Sequence, residues 1–89
     1  MYQILYTQSA RSDLKKLNVD AIKRILKKIV FFSTQKDPLV FARKLKNHAI
    51  GQYRFRIGDY RAIFDMDKNN RIQILIILRI KHRKDVYEL

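Results

Sequence analysis

From Ser9 to Leu17 the apolar residues Ala10, Leu14 and Leu17 recur at spacings of four and three, which is the period of a helix with one buried stripe. Just upstream, YQILYT at residues 2–7 is dense in β-forming residues, and Thr7 or Ser9 can cap the helix, so the chain opens as strand then helix. Asn18 reads as the stop of that helix. Asp20 reads as the cap of a longer one, whose apolar face is Ile22, Ile25, Leu26, Ile29 and Val30, with Lys23, Arg24, Lys27 and Lys28 mostly off it. Two consecutive helices joined this closely form an antiparallel hairpin.

Beyond residue 36 the pattern changes. Asp37-Pro38 restarts the chain, and LVFARKLKN at 39–47 reads as a short third helix packing Leu39, Phe41 or Ala42, and Leu45, with Gly51 ending the unit. From there the period is two. Tyr53, Phe55 and Ile57 alternate with Gln52, Arg54 and Arg56; Tyr60, Ala62 and Phe64 alternate with Arg61, Ile63 and Asp65. Gly58-Asp59 between them is a hairpin turn, DKNN at 67–70 a second turn, and RIQILIILRI at 71–80 a strand apolar at nearly every position, as for a central strand covered on both sides. The predicted class is α+β in the order β-α-α-(α)-β-β-β: an antiparallel β-meander with a helical hairpin packed on one face. No repeat or linker divides residues 1–89, which read as one domain.

A two-residue loop fixes the hairpin register. Ile57 then faces Tyr60, Phe55 faces Ala62 and Tyr53 faces Phe64 on the core side, while Arg56 lies directly opposite Arg61 on the other side with Arg54 one pleat further along. Directly opposed like charges destabilise a strand pair. An offset is therefore expected, either from a carboxylate such as Asp59, Asp65 or Asp67, or from a bound anion. Arginine suits the anion, because its planar fork binds phosphate oxygens in pairs and stays charged at physiological pH.

Composition points the same way. The 89 residues carry 20 Lys and Arg against 8 Asp and Glu, a net charge of +12, which favours a polyanionic partner, either nucleic acid or an acidic protein that masks the surface. No run approaches the about 20 apolar residues of a membrane-spanning helix, and the opening Met1-Tyr-Gln-Ile does not read as a signal peptide, so a soluble, cytoplasmic protein without a membrane partner is expected. The absence of cysteine excludes disulfides, thiolate chemistry and the common structural zinc sites. Asp65-Met-Asp67 beside KNN reads as turn chemistry, and there is no Gly-rich phosphate loop or nucleophilic serine motif. Neither metal nor cofactor is expected.

A second basic cluster follows the last strand, where Arg79, Lys81, Arg83 and Lys84 surround His82 and Tyr87 follows. A meander brings this end near the Arg56/Arg61 region. Together the two clusters offer RNA charge neutralisation, an aromatic platform for a base and groups able to move protons.

These motifs resemble the RelE/ParE superfamily of bacterial and archaeal type II toxins. The resemblance is carried by KLKNHAIGQYRFRIGDYRAIFD at 44–65, with its Y-R-x-R-x-G-D-Y-R core, and by HRKDVYEL at 82–89 after an apolar strand; it covers essentially the whole chain. It implies the fold order above and, for the RelE branch, an endoribonuclease that cleaves mRNA in the ribosomal A site. On that reading Arg54, Arg56 and Arg61 stabilise the phosphorane formed by metal-independent attack of the RNA 2′-hydroxyl, and one of Lys81, His82 and Arg83 protonates the leaving oxygen. Tyr87 stacks on a base or orients the 2′-hydroxyl, and Arg79, Lys81, Arg83 and Lys84 join the hairpin arginines in binding RNA. The resemblance also implies a cognate antitoxin, with operator DNA reached only through the antitoxin complex. Two alternatives stay open: a ParE-type inhibitor of DNA gyrase, and a nucleic-acid-binding module without chemistry.

Overall fold

The computed structural model describes residues 1–46, 49–68 and 72–86 of the 89. Strand β1 (Gln3–Tyr6) leads into α1 (Gln8–Lys15) and α2 (Val19–Ser33); a 3-10 turn (Pro38–Phe41) leads into β2 (Ala42–Lys44), and β3 (Tyr53–Ile57), β4 (Tyr60–Lys68) and β5 (Gln73–His82) come next, with a last 3-10 turn at Arg83–Val86. The five strands form one sheet in the order β1-β5-β4-β3-β2. Strands β2 to β5 are antiparallel neighbours, as a meander requires. β1 departs from that pattern, pairing parallel with β5 from Gln3↔Ile74 to Tyr6↔Ile77.

Side-chain caps set both helix starts. Thr7 accepts from Ala10 N at 3.1 Å and donates its hydroxyl to Leu78 O at 2.8 Å, tying the start of α1 to β5. The cap of α2 is Asn18, which accepts from Ala21 N at 2.8 Å, so Asn18 begins the second helix and Asp20 falls in its first turn, where a carboxylate favours the helix dipole. The buried stripe of α2 is Ala21, Ile25, Ile29 and Phe32; Val30, expected in the core, is 52% exposed. The predicted third helix is replaced by the short 3-10 turn, capped by Asp37, and by β2, because the Ala42–Lys44 backbone pairs with β3. That pairing supplies hydrogen bonds a short isolated helix would have to find internally.

The main core lies between the helices and the sheet and is organised by stacked aromatic rings. Phe32 of α2 stacks on Phe55 at 4.3 Å between centroids, and Phe55 on Phe64 at 4.1 Å. The opposite face has a smaller core of Leu45, Ile63 and Val86, with Ile50 and Leu78 against it. β5 is thus covered fully on one face and partly on the other. Among the described residues no helix is long and apolar enough to cross a membrane.

Candidate functional site

The hairpin register is the expected one: Tyr53↔Phe64, Phe55↔Ala62, Arg56↔Arg61 and Ile57↔Tyr60 are Cα partners. The turn is set by Gly58, whose φ of 58° is the left-handed conformation a glycine adopts without a Cβ clash. Positive φ at the first central residue and not at the second is the type II′ pattern, whose twist matches a two-residue hairpin. Neighbouring strands extend the like-charge pairing. Arg61 registers with Lys81 on β5, and Arg43 on β2 with Arg54 on β3, so Arg56, Arg61 and Lys81 form one transverse row.

Among the described residues no carboxylate forms an ion pair with Arg54, Arg56 or Arg61. Asp65 accepts from Gln52 N at 2.8 Å, and Asp59 lies 3.8 Å from Arg83 Nε. Arg61 instead donates Nη1 to the carbonyls of Gly58 at 2.9 Å and Tyr60 at 2.8 Å. Among the described residues, neither Arg54 nor Arg56 has a hydrogen bond or ion pair from its side chain. Burial, then the positive charges of Arg56, Arg54 and Arg83, hold the Arg61 guanidinium below its ordinary pKa, against the opposing pull of Asp59. The site is preloaded with unfavourable positive charge that an anion relieves.

Arg43, Arg54, Arg56 and Arg61 line an open depression of about 670 Å³ together with Val40, Phe41 and Ala42. A second hollow is bordered by Arg54, Arg61, Arg83, Lys84 and Val86. Two shared arginines make these one continuous basic surface, without a carboxylate among the described residues that line it. Arg83 is brought there by its backbone, which donates to Asp59 O at 2.8 Å, and by Val86, which plugs into the small core three residues on. Sequence reasoning misses Arg43, because the apolar spacing of that segment is helical; the small Ala42 before Arg43 and Lys44 is the only trace of an edge strand there.

Not every expected residue joins. Arg79 turns to α1, where its Nε and Nη2 bond the two Asp13 carboxylate oxygens at 2.8 and 2.9 Å. Burial pushes the Asp13 carboxyl up, but the hydrogen bonds from Arg79 and from Ile80 N at 2.9 Å, with the charges of Arg79 and Lys81, outweigh it and hold the group below its ordinary pKa. Asp13 in turn raises Arg79. His82 is Cα partner to Tyr60 and packs edge-on against that ring at 5.6 Å, beside Asp13, Leu17 and Ile80, on the helix side of the sheet.

The cause is a bulge. Register slips between Ile63 and Phe64, which pair with Arg79 and Ile77, so Leu78 is an extra residue in β5. One extra residue exchanges the two faces for everything after it: without it, strict alternation from Ile77 would put His82 beside the arginines. Lys81 takes that row by register, although its charge also reaches Asp13. Tyr87 lies outside the described residues.

A sheet of this order with two helices on one face and a basic hairpin on the other defines a small α+β domain with a basic face. The sequence matches the profile of the ParE toxin of the type II toxin-antitoxin system parDE over residues 4–87, and the chain belongs to the RelE/ParE superfamily of type II toxins. It is 33% identical to Toxin RelG of Mycobacterium tuberculosis over 89 residues, covering 97% of this chain and 95% of that one. Among solved structures, it resembles the toxin-antitoxin complex RelBE2 from the same organism, with a TM-score of 0.65 at 32% identity, over 92% of this chain and 98% of the other. The archaeal RelE-RelB complex of Pyrococcus horikoshii gives a TM-score of 0.68 at 26% identity, over 92% and 94%.

Proposed function

We propose that this toxin is a ribosome-dependent mRNA endonuclease that works without a metal ion. The observation that carries the reading is the convergence of Arg54, Arg56, Arg61 and Arg83 on one open surface that no carboxylate lines among the described residues. In the proposed reaction the RNA 2′-oxygen bonds to the adjacent phosphorus as the bond to the 5′-oxygen breaks. The products are a 2′,3′-cyclic phosphate and a 5′-hydroxyl, the latter receiving a proton. The nucleophile belongs to the substrate, and the proton its 2′-hydroxyl gives up to solvent balances the one the 5′-oxygen gains, so the protein has to stabilise added charge on the phosphorane and assist protonation of the leaving oxygen. Arg56 and Arg61 flank the phosphate, Arg54 extends the contact along the strand, and Arg83, bordering the same hollow, is the group placed at the leaving oxygen. The likeness to RelG and RelE proteins supports this branch, and the relatives solved with RelB support a cognate antitoxin that covers the basic face.

The test is to express the wild type and Arg61→Ala in bacteria and map mRNA 5′ ends within translated frames. Loss of one preorganised charge donor costs about 10² to 10³ in rate, so in-frame ends should fall by that factor with the fold retained. Equal cleavage by a folded Arg61→Ala protein removes this residue from the mechanism; cleavage abolished by a chelator on intact ribosomes and restored by a divalent ion removes the metal-free reading.

The match to the ParE profile favours a second reading, inhibition of DNA gyrase. Blocked supercoiling with intact ribosome-bound mRNA would select it.

A further inference from the structure

We infer that His82 is a positioning residue for Arg83: its imidazole caps the 3-10 turn Arg83–Val86 and so sets the backbone from which Arg83 reaches the arginine surface. This rests on the endonuclease reading above and assigns His82 a part in it other than proton transfer.

Three observations carry the inference. His82 Nδ1 accepts from the Lys84 backbone N–H at 3.2 Å. This is the relation of a helix cap, in which the residue before the first turn receives an N–H that has no carbonyl partner within the turn. It also makes Nδ1 the unprotonated nitrogen in this arrangement. Next, the ring packs edge-on against Tyr60 at 5.6 Å, which restricts the direction of the acceptor. Finally, the bulge at Leu78 puts the imidazole on the helix side of the sheet, where it lines a hollow with Asp13, Leu17 and Ile80, whereas Arg83 lines the hollow shared with Arg54 and Arg61. The two neighbours therefore serve opposite faces. Arg83 itself is exposed and has a loose ion pair with Asp59 at 3.8 Å, so its direction comes from its backbone, fixed by its own N–H to Asp59 O and by the His82 bond one residue later.

A cap and a proton donor answer differently to substitution. Asparagine is among the best capping side chains and has no proton to give at neutral pH; leucine has neither property. On purified ribosomes, His82→Leu should lower kcat for mRNA cleavage about 10²-fold, the scale of a misplaced reacting group, whereas His82→Asn should stay within about 3-fold of wild type, since the asparagine oxygen replaces Nδ1. In NMR exchange measurements the Lys84 amide should be protected in the wild type and in His82→Asn and unprotected in His82→Leu. A folded His82→Asn protein that keeps Lys84 protection yet is as inactive as His82→Leu overturns the inference, because the imidazole would then be doing chemistry. Unchanged Lys84 protection in a folded His82→Leu protein overturns the cap, and the Asn comparison decides even where the leucine variant does not fold. Absence of cleavage by the wild type would defeat the endonuclease reading, while the exchange comparison would still judge the cap.

Discussion

Arg56 and Arg61 face each other across the β3–β4 hairpin, and Arg61 meets the resulting repulsion by donating to the carbonyls of Gly58 and Tyr60. Arg56 has no such recourse among the described residues. Replacing Arg56 with glutamine should therefore stabilise the free protein by about 0.5 kcal/mol, the scale of a cross-strand like-charge pair. The gain should shrink in about 1 M salt, where the screening length falls to about 3 Å. Urea titrations at low and high salt check both statements, and a variant less stable than wild type at low salt would show that the opposed charges are compensated.

The proposed RNA binding draws on the same charge. If Arg54 neutralises one phosphate, Arg54→Gln should weaken single-stranded RNA binding and reduce the slope of log K against log salt by about 0.7. An unchanged slope in fluorescence anisotropy titrations would place Arg54 off the RNA path.

Asp13 joins α1 to the unpaired edge of β5 beyond β1 through Arg79 and Ile80 N. Its carboxyl is depressed in the fold, so the stabilisation is present above the ordinary carboxylate value of about 3.9 and is lost as pH falls through the lower folded value. Asp13→Asn should cost about 2 kcal/mol at pH 7, less than a fully buried pair because Arg79 keeps a 39% exposed side chain. The gap between variant and wild type should close on acidification. A pH-independent gap would trace the loss to packing.

Gly51 sits where β3 approaches the small second core. A Cβ there would come within 2.7 Å of Ile63 Cγ2 and 2.9 Å of Leu78 Cδ1. Gly51→Ala should destabilise by about 1 to 2 kcal/mol, as overpacking does, and should loosen the 3-10 turn carrying Arg83, because Val86 shares that core with Ile63. A melting temperature equal to wild type would mean the two side chains move aside at no cost.

The features legible in the sequence are those that local rules determine. The Gly58-Asp59 loop admits one register, and period two then assigns every side chain of Gln52–Asp65 to a face; the opposed arginines emerge from counting. Two features lie beyond such rules. Ala42–Lys44 carries apolar neighbours at helical spacing, and only the nearby edge of β3 draws it into the sheet, a tertiary override of local preference. The bulge hides inside ILIILRI, where an apolar run gives no alternation to betray an extra residue, yet it decides the side taken by His82. Legibility stops at Leu78, and with it the ability to tell Lys81, His82 and Arg83 apart.

The parallel pairing of β1 with β5 also governs when the protein comes into being. Gln3 precedes its partner Ile74 in β5 by both helices and the hairpin, so β1 waits with an open flank while those elements are made. Long-range closure of this kind is slow relative to local structure. Arg83 comes directly after β5, so the basic surface is finished only once β5 has been made. The basic surface is therefore assembled after every strand that supports it.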